Sequence, residues 1–208
     1  MNIDNAVWQC LLKAIDRFNQ SGDPKSLLCP RNENPTTKSD WTAASERAIA
    51  YRLAFYLETE LRRVPLVGDY GPLTVDCEYN RHLAEGKSLA AEAAEEIKQI
   101  VKQARKKELE ENDDGFYVFS VAPDILVHQR RTDANNILVV EIKKRSNPET
   151  DKYDRLKLEL FTSPKEDERG YGYKIGAWIV AEDNLRPHER RLRLVRKFKD
   201  GVESEVEV

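Results

Sequence analysis

The chain has 208 residues, 34% of them charged and 40% hydrophobic, with Lys plus Arg at 34 against Asp plus Glu at 37 and a formal net charge of −3. That length favours one compact domain over residues 1–208 with a real core, and the near-balance of charge excludes a protein that coats nucleic acid by bulk basicity. The longest run free of Asp, Glu, Lys and Arg is nine residues, Gly115 to Pro123, against roughly 20 for a helix that spans a bilayer, so no membrane segment is expected.

Asp4 is placed to cap an N-terminal helix over residues 1–20, whose stripe Val7, Cys10, Leu11, Ala14, Ile15 and Phe18 has amphipathic spacing. Charges at Asp4, Lys13 and Asp16 interrupt any secretory signal there, which points to a cytoplasmic protein. From Ser21 to Trp41, Gly22, Pro24, Pro30, Asn32, Asn34 and Pro35 read as a long irregular connector. The spacing then predicts a helix from about Ala43 to Leu61, capped by Asp40 or Thr42, with Ile49, Ala50, Leu53 and Leu57 on one face. Glu46 falls at the start of that apolar face, where an unpaired carboxylate is costly, so it asks for a partner.

Leu73 to Tyr79 alternates as a strand, and Ala-, Glu- and Lys-rich residues 87–111 predict a long helix with Leu89, Ala93, Ile97, Ile100 and Val101 in phase. Val121 to Arg130 and Asn136 to Lys143 read as two strands of a hairpin, followed by a helix from about Asp151 to Thr162 and a strand through Tyr173, Ile175, Ala177 and Ile179. Residues 191–208 flank Asp200-Gly201, a favoured tight turn, and predict a C-terminal hairpin with Arg196 facing Glu205. The order implies an α/β protein with a mixed sheet flanked by helices.

The chemistry concentrates in the middle hairpin. Cys10, Cys29 and Cys77 form no CxxC pair, His82, His128 and His188 are scattered, and no Gly-rich phosphate loop, GxSxG elbow or HExxH pair is present. With a four-residue turn at Arg131 to Ala134, Arg130 pairs with Asn135 and Asp124 comes opposite Glu141. Two carboxylates facing each other need positive charge between them, and the candidates are Lys143, two residues along, or a divalent cation. Hard oxygen ligands select Mg2+ or Mn2+ over zinc. Such an ion suits phosphate chemistry, in which a nearby ammonium positions water or stabilises charge at phosphorus. Glu46 would add a third carboxylate, although an acid at a helix N-terminus is equally explained by the macrodipole. His128 shares the Asp124 face and is read as structural.

Pro123-Asp124 on one strand, followed by Glu141-Ile142-Lys143 on the next, resembles the motif of the PD-(D/E)XK nuclease superfamily, with its restriction-endonuclease-like fold. That fold's core, helix, three strands, helix, strand, is matched by residues 43–181. The resemblance implies a metal-dependent phosphodiesterase acting on nucleic acid, DNA favoured over RNA, with the Asp124 and Glu141 carboxylates and the Ile142 carbonyl as metal ligands. It gives Lys143 the role of catalytic lysine, Glu46 that of the helix glutamate, and Lys157 that of a further polar residue on the following helix. The helix at 87–111 is then an insertion.

A rival reading keeps the fold without the reaction, as a module binding nucleic acid or a protein partner. In a further reading the chain is an interaction subunit that docks through the helices at Asp4 and Lys87. A homodimer would suit cleavage of both strands of a duplex. The basic run Arg186, Arg190, Arg191, Arg193, Arg196, Lys197 and Lys199 could grip phosphates, but Glu203, Glu205 and Glu207 on the return strand account for part of that charge.

Overall fold

Asn2 opens the first helix by accepting a hydrogen bond from the Asp4 N–H at 3.1 Å, and α1 then runs over Ile3–Gln20. Asp4 is therefore not the cap but an acid of the first turn, where the helix dipole favours it. The computed structural model describes residues 2–28, 44–65, 72–79, 81–82, 85–86, 88–92, 94–105, 113–132, 134–147, 150–164 and 170–206. Within the expected connector a short helix, α2 (Asp23–Leu27), forms on Pro24, and residues 29–43, including the expected caps Asp40 and Thr42, lie outside the described residues. The next helix, α3 (Glu46–Leu61), begins later than its spacing suggests, because Ser45 accepts from the Ala48 N–H at 3.2 Å and caps it.

Strand β1 (Thr74–Cys77) follows, then a short ribbon of β2 (Arg81–His82) and β3 (Glu85–Gly86). The expected long helix at 87–111 is divided. Ser88–Glu92 is a strand, β4, antiparallel to β5 (Phe116–Ser120), and Glu95–Arg105 is helical, as α4, while residues 106–111 lie outside the described residues. Leu89 and Ala91 alternate into the core beside Phe119, and this tertiary burial overrides the helix propensity of the Leu-Ala-Ala run. Strand β6 (Ile125–His128) is shorter than expected, starting after Asp124.

The remaining elements are β7 (Asn136–Lys144), α5 (Asp151–Thr162), β8 (Ile175–Ala181), β9 (Leu192–Lys199) and β10 (Val202–Glu205). They complete a six-stranded mixed sheet of order β1-β6-β7-β8-β9-β10, in which only β7 and β8 run parallel, joined through α5. Helices flank it. α1 and α3 bury Val7, Leu11, Phe18, Ile49, Leu53 and Leu57 on one face, and α5 with the β4–β5 ribbon buries Leu158, Phe161, Leu89 and Phe119 on the other. Being covered on both sides, β7 and β8 are buried almost throughout, as their continuous apolar runs require. Gly176 permits the close contact between β8, β9 and α5, since a Cβ there would stand 2.9 Å from Phe198 Cβ and 3.1 Å from Thr162 Cγ2.

The hairpin turns behave unequally. At Asp200-Gly201 both residues take positive φ, 51° and 74°, and Arg196 does face Glu205. In the β6–β7 hairpin Ile125 pairs with Val140 and Val127 with Leu138, the register expected, but a bulge after Val127 sets His128 opposite Asn136. The pair Arg130–Asn135 is consequently replaced by a bond from the Gln129 N–H to the Asn135 carbonyl at 3.1 Å.

Candidate active site

Alternation along β7 sends Glu141 and Lys143 to the same side as Val139, toward α5. Glu141 is 2% exposed and Lys143 5%, so both charges must be answered inside the protein. On α5, Asp154 and Lys157 are three residues apart and share a face. The Lys157 Nζ stands 2.7 Å from Glu141 Oε2 and 3.0 Å from Asp154 Oδ1. Asp124, one residue before β6, comes beside Glu141 because the Ile125–Val140 pairing carries the register on to it. Its Oδ2 accepts from the Ile142 N–H at 2.7 Å, and its carbonyl accepts from the Glu78 N–H at 3.2 Å. Glu78, the residue after β1, is in turn bound to Arg47 at 2.6 Å.

Lys143 lies one strand repeat further along, roughly 6–7 Å from Glu141 by strand geometry, and reaches a different set of oxygens. Its Nζ donates to Thr150 Oγ1 at 2.6 Å and stands 3.4 Å from Glu46 Oε1 and 3.8 Å from Asp154 Oδ2. Glu46 also accepts from the Lys144 N–H at 2.9 Å, which ties the start of α3 to the end of β7. Thr150 occupies the N-cap position of α5 but makes no capping bond, its hydroxyl being turned to Lys143. Asp154 thus joins two half-sites, Asp124–Glu141–Lys157 and Glu46–Lys143–Thr150.

The first half-site is short of positive charge. Burial raises the Asp124 carboxyl to about 6, with Lys157 and the Ile142 N–H only partly opposing it. Burial, together with the neighbouring Asp124 and Asp154, holds Glu141 well above the ordinary carboxylate range. Burial alone would lower Lys157, yet Glu141, Asp154 and Asp124 keep it above its ordinary value and firmly charged. One oxygen, Glu141 Oε1, is buried without a hydrogen-bond partner among the described residues. Among the described residues no group of three or more His, Cys, Asp or Glu is arranged to hold a metal ion; the carboxylates here gather around the Lys157 ammonium instead.

All the side chains expected from the sequence, Glu46, Asp124, Glu141, Lys143 and Lys157, lie in this region, with Ile142 supplying its N–H to Asp124. The cation between the carboxylates is Lys157, however, and not Lys143. Lys157 reaches Glu141 from α5, while Lys143, on the same strand as Glu141, goes to Thr150 and Glu46. Asp154 and Thr150 were not anticipated. Asp154 was legible as the residue three before Lys157, and Thr150 as the polar residue heading α5. His128 is buried, with Nε2 3.0 Å from Asp76 Oδ2 and its ring against Tyr79. The basic C-terminal run is largely committed: Arg190 to the Leu185 and Leu28 carbonyls, Arg193 to Glu182, Arg196 to Glu205, and Lys197 to the Trp8 ring. Comparison with family models, curated proteins and solved structures finds no match to this chain.

Proposed function

We propose that this protein hydrolyses phosphodiester bonds in nucleic acid, DNA above all, with a Mg2+ or Mn2+ ion at its carboxylates. The observation that carries the reading is the convergence of Asp124, at the start of β6, and Glu141, on the adjacent β7, in a centre with raised carboxylates and an oxygen, Glu141 Oε1, without a partner among the described residues. The order α3, β1, β6, β7, α5, β8 also supports the restriction-endonuclease-like core, with β2 to β5 and α4 as its insertion.

The donor set fits a hard divalent cation: carboxylate oxygens, one of them unpartnered, with no Cys or His among the described side chains of the site. Asp124 and Glu141 would hold it, with the Ile142 carbonyl and Glu46 adjoining. When bound, such an ion lowers the pKa of water and neutralises phosphate charge. The chain's own residues do the remainder. The Ile142 N–H fixes the Asp124 carboxylate, and Thr150 and Glu46 hold the Lys143 ammonium, which orients the attacking water and steadies charge at phosphorus.

A second reading has its own observation. Lys157 already answers Glu141 and Asp154, as in a centre that is purely structural, and the protein would then bind nucleic acid or a partner without cutting. Incubating the full chain with plasmid and single-stranded DNA in Mn2+ separates the two. Cleavage that falls about a hundredfold or more in Lys143→Met supports the nuclease, and DNA binding with no cleavage by the wild type supports the module.

A further inference from the structure

The two lysines of the centre are not equivalent. Lys143 is bound to a hydroxyl and stands farther from its carboxylates, at 3.4 and 3.8 Å, while Lys157 is in ion-pair contact at 2.7 and 3.0 Å. Lys157 is also the group on which Glu141, Asp154 and Asp124 all act. It stands where positive charge is needed, between the strand carboxylates and the helix carboxylate. Lys157 faces three carboxylates, of which Asp154 alone has a second ammonium nearby, Lys143 at 3.8 Å, and Glu141 Oε1 has no donor among the described residues. A doubly charged ion that takes Glu141 through both oxygens, the unpartnered Oε1 included, would meet the Lys157 ammonium at Oε2, and the two cations repel one another there.

We infer that Lys157 is the resting counter-ion of this centre, and that a divalent cation binds at Asp124 and Glu141 in exchange for the Lys157 ammonium. This rests on the metal-dependent reading above. The ammonium keeps a partner when it leaves Glu141, since its Nζ already stands 5.2 Å from the centre of the Tyr153 ring, one turn back along α5, and the ring face attracts a cation. Asp154, on the same helix, can follow it as a partner. In the metal-free protein Lys157 thus holds the carboxylates together, and metal uptake releases a positive charge beside the bound ion.

Calorimetric titration of Mn2+ into the full chain and its Lys157→Gln variant tests the exchange. The variant, which has no ammonium to displace, is expected to bind Mn2+ about tenfold or more tightly than the wild type, the scale of removing one competing charge from a buried centre. Equal or weaker binding by the variant, with the wild type still binding, overturns the exchange and leaves the metal reading standing. Uptake by neither protein removes both. A measurement on the wild type needs no variant. The Lys157 ammonium, followed by nitrogen-edited NMR and assigned through its contact with the Tyr153 ring, is expected to change its shift as Mg2+ is added. A Lys157 signal unmoved at saturating Mg2+ refutes the inference.

Discussion

Replacing Asp124 by Asn changes one charge while keeping an oxygen to accept the Ile142 N–H, so it isolates the electrostatics of the centre. Burial raises this carboxyl from 3.8 to about 6. A group that holds its proton more tightly in the folded state makes the protein most stable while protonated. Its contribution is full below about pH 4, is lost as pH rises from about 4 to 6, and is absent above, with a total near 3 kcal/mol at about 1.4 kcal/mol per decade. Removing the Asp124 charge also relieves Glu141, which acts in the same direction. The assay is urea unfolding in chelator at a series of pH values for wild type and Asp124→Asn. The variant is expected to gain about 3 kcal/mol on the wild type between about pH 4 and pH 7. Parallel pH profiles would falsify the claim that burial raises the Asp124 carboxyl.

Other outcomes follow from the same structure. Asp76→Asn leaves buried His128 and the exposed Arg130 without their carboxylate, and should cost about 1–3 kcal/mol in urea unfolding at neutral pH. Burial works against the Asp76 charge, but Arg130 and His128 hold the group well below its ordinary value, so the wild type loses this stability as pH falls through the acid range and the variant has none to lose. Gly176→Val drives a side chain into Phe198 and Thr162, and thermal melting should show a loss of about 1–3 kcal/mol or more. Lys143→Met should retain calorimetric Mn2+ binding while losing cleavage, because Asp124 and Glu141 are untouched; loss of both together would place Lys143 in the metal site itself.

Much of this arrangement was legible in the sequence, for identifiable reasons. The runs of β7 and β8 are apolar and bounded, α5 has clear periodicity, and the Asp-Gly turn admits few alternatives. The β4–β5 ribbon was hidden because Ser88 to Glu92 favours a helix locally and becomes a strand only by pairing with Phe116 to Ser120. Within the site, strand alternation was enough to bring Asp124, Glu141 and Lys143 to one region. The cation between the carboxylates could not be read that way, since Lys157 reaches Glu141 across the gap between sheet and helix, and that approach is set by packing rather than by spacing. Thr150 was equally obscured, because a hydroxyl at a helix start suggests a cap, and here it serves Lys143.

The central claim, that Asp124 and Glu141 form a metal-dependent phosphodiesterase centre, is tested most directly by titrating Mn2+ calorimetrically into the wild type and Asp124→Asn, then incubating both with plasmid and single-stranded DNA. The unfolding series above establishes beforehand that the variant is folded. Metal uptake and DNA cleavage by the wild type, lost together in the variant, are the expected result. A wild type that takes up no Mn2+, even with DNA present, contradicts the account and leaves a binding module whose buried carboxylates are neutralised by lysine alone.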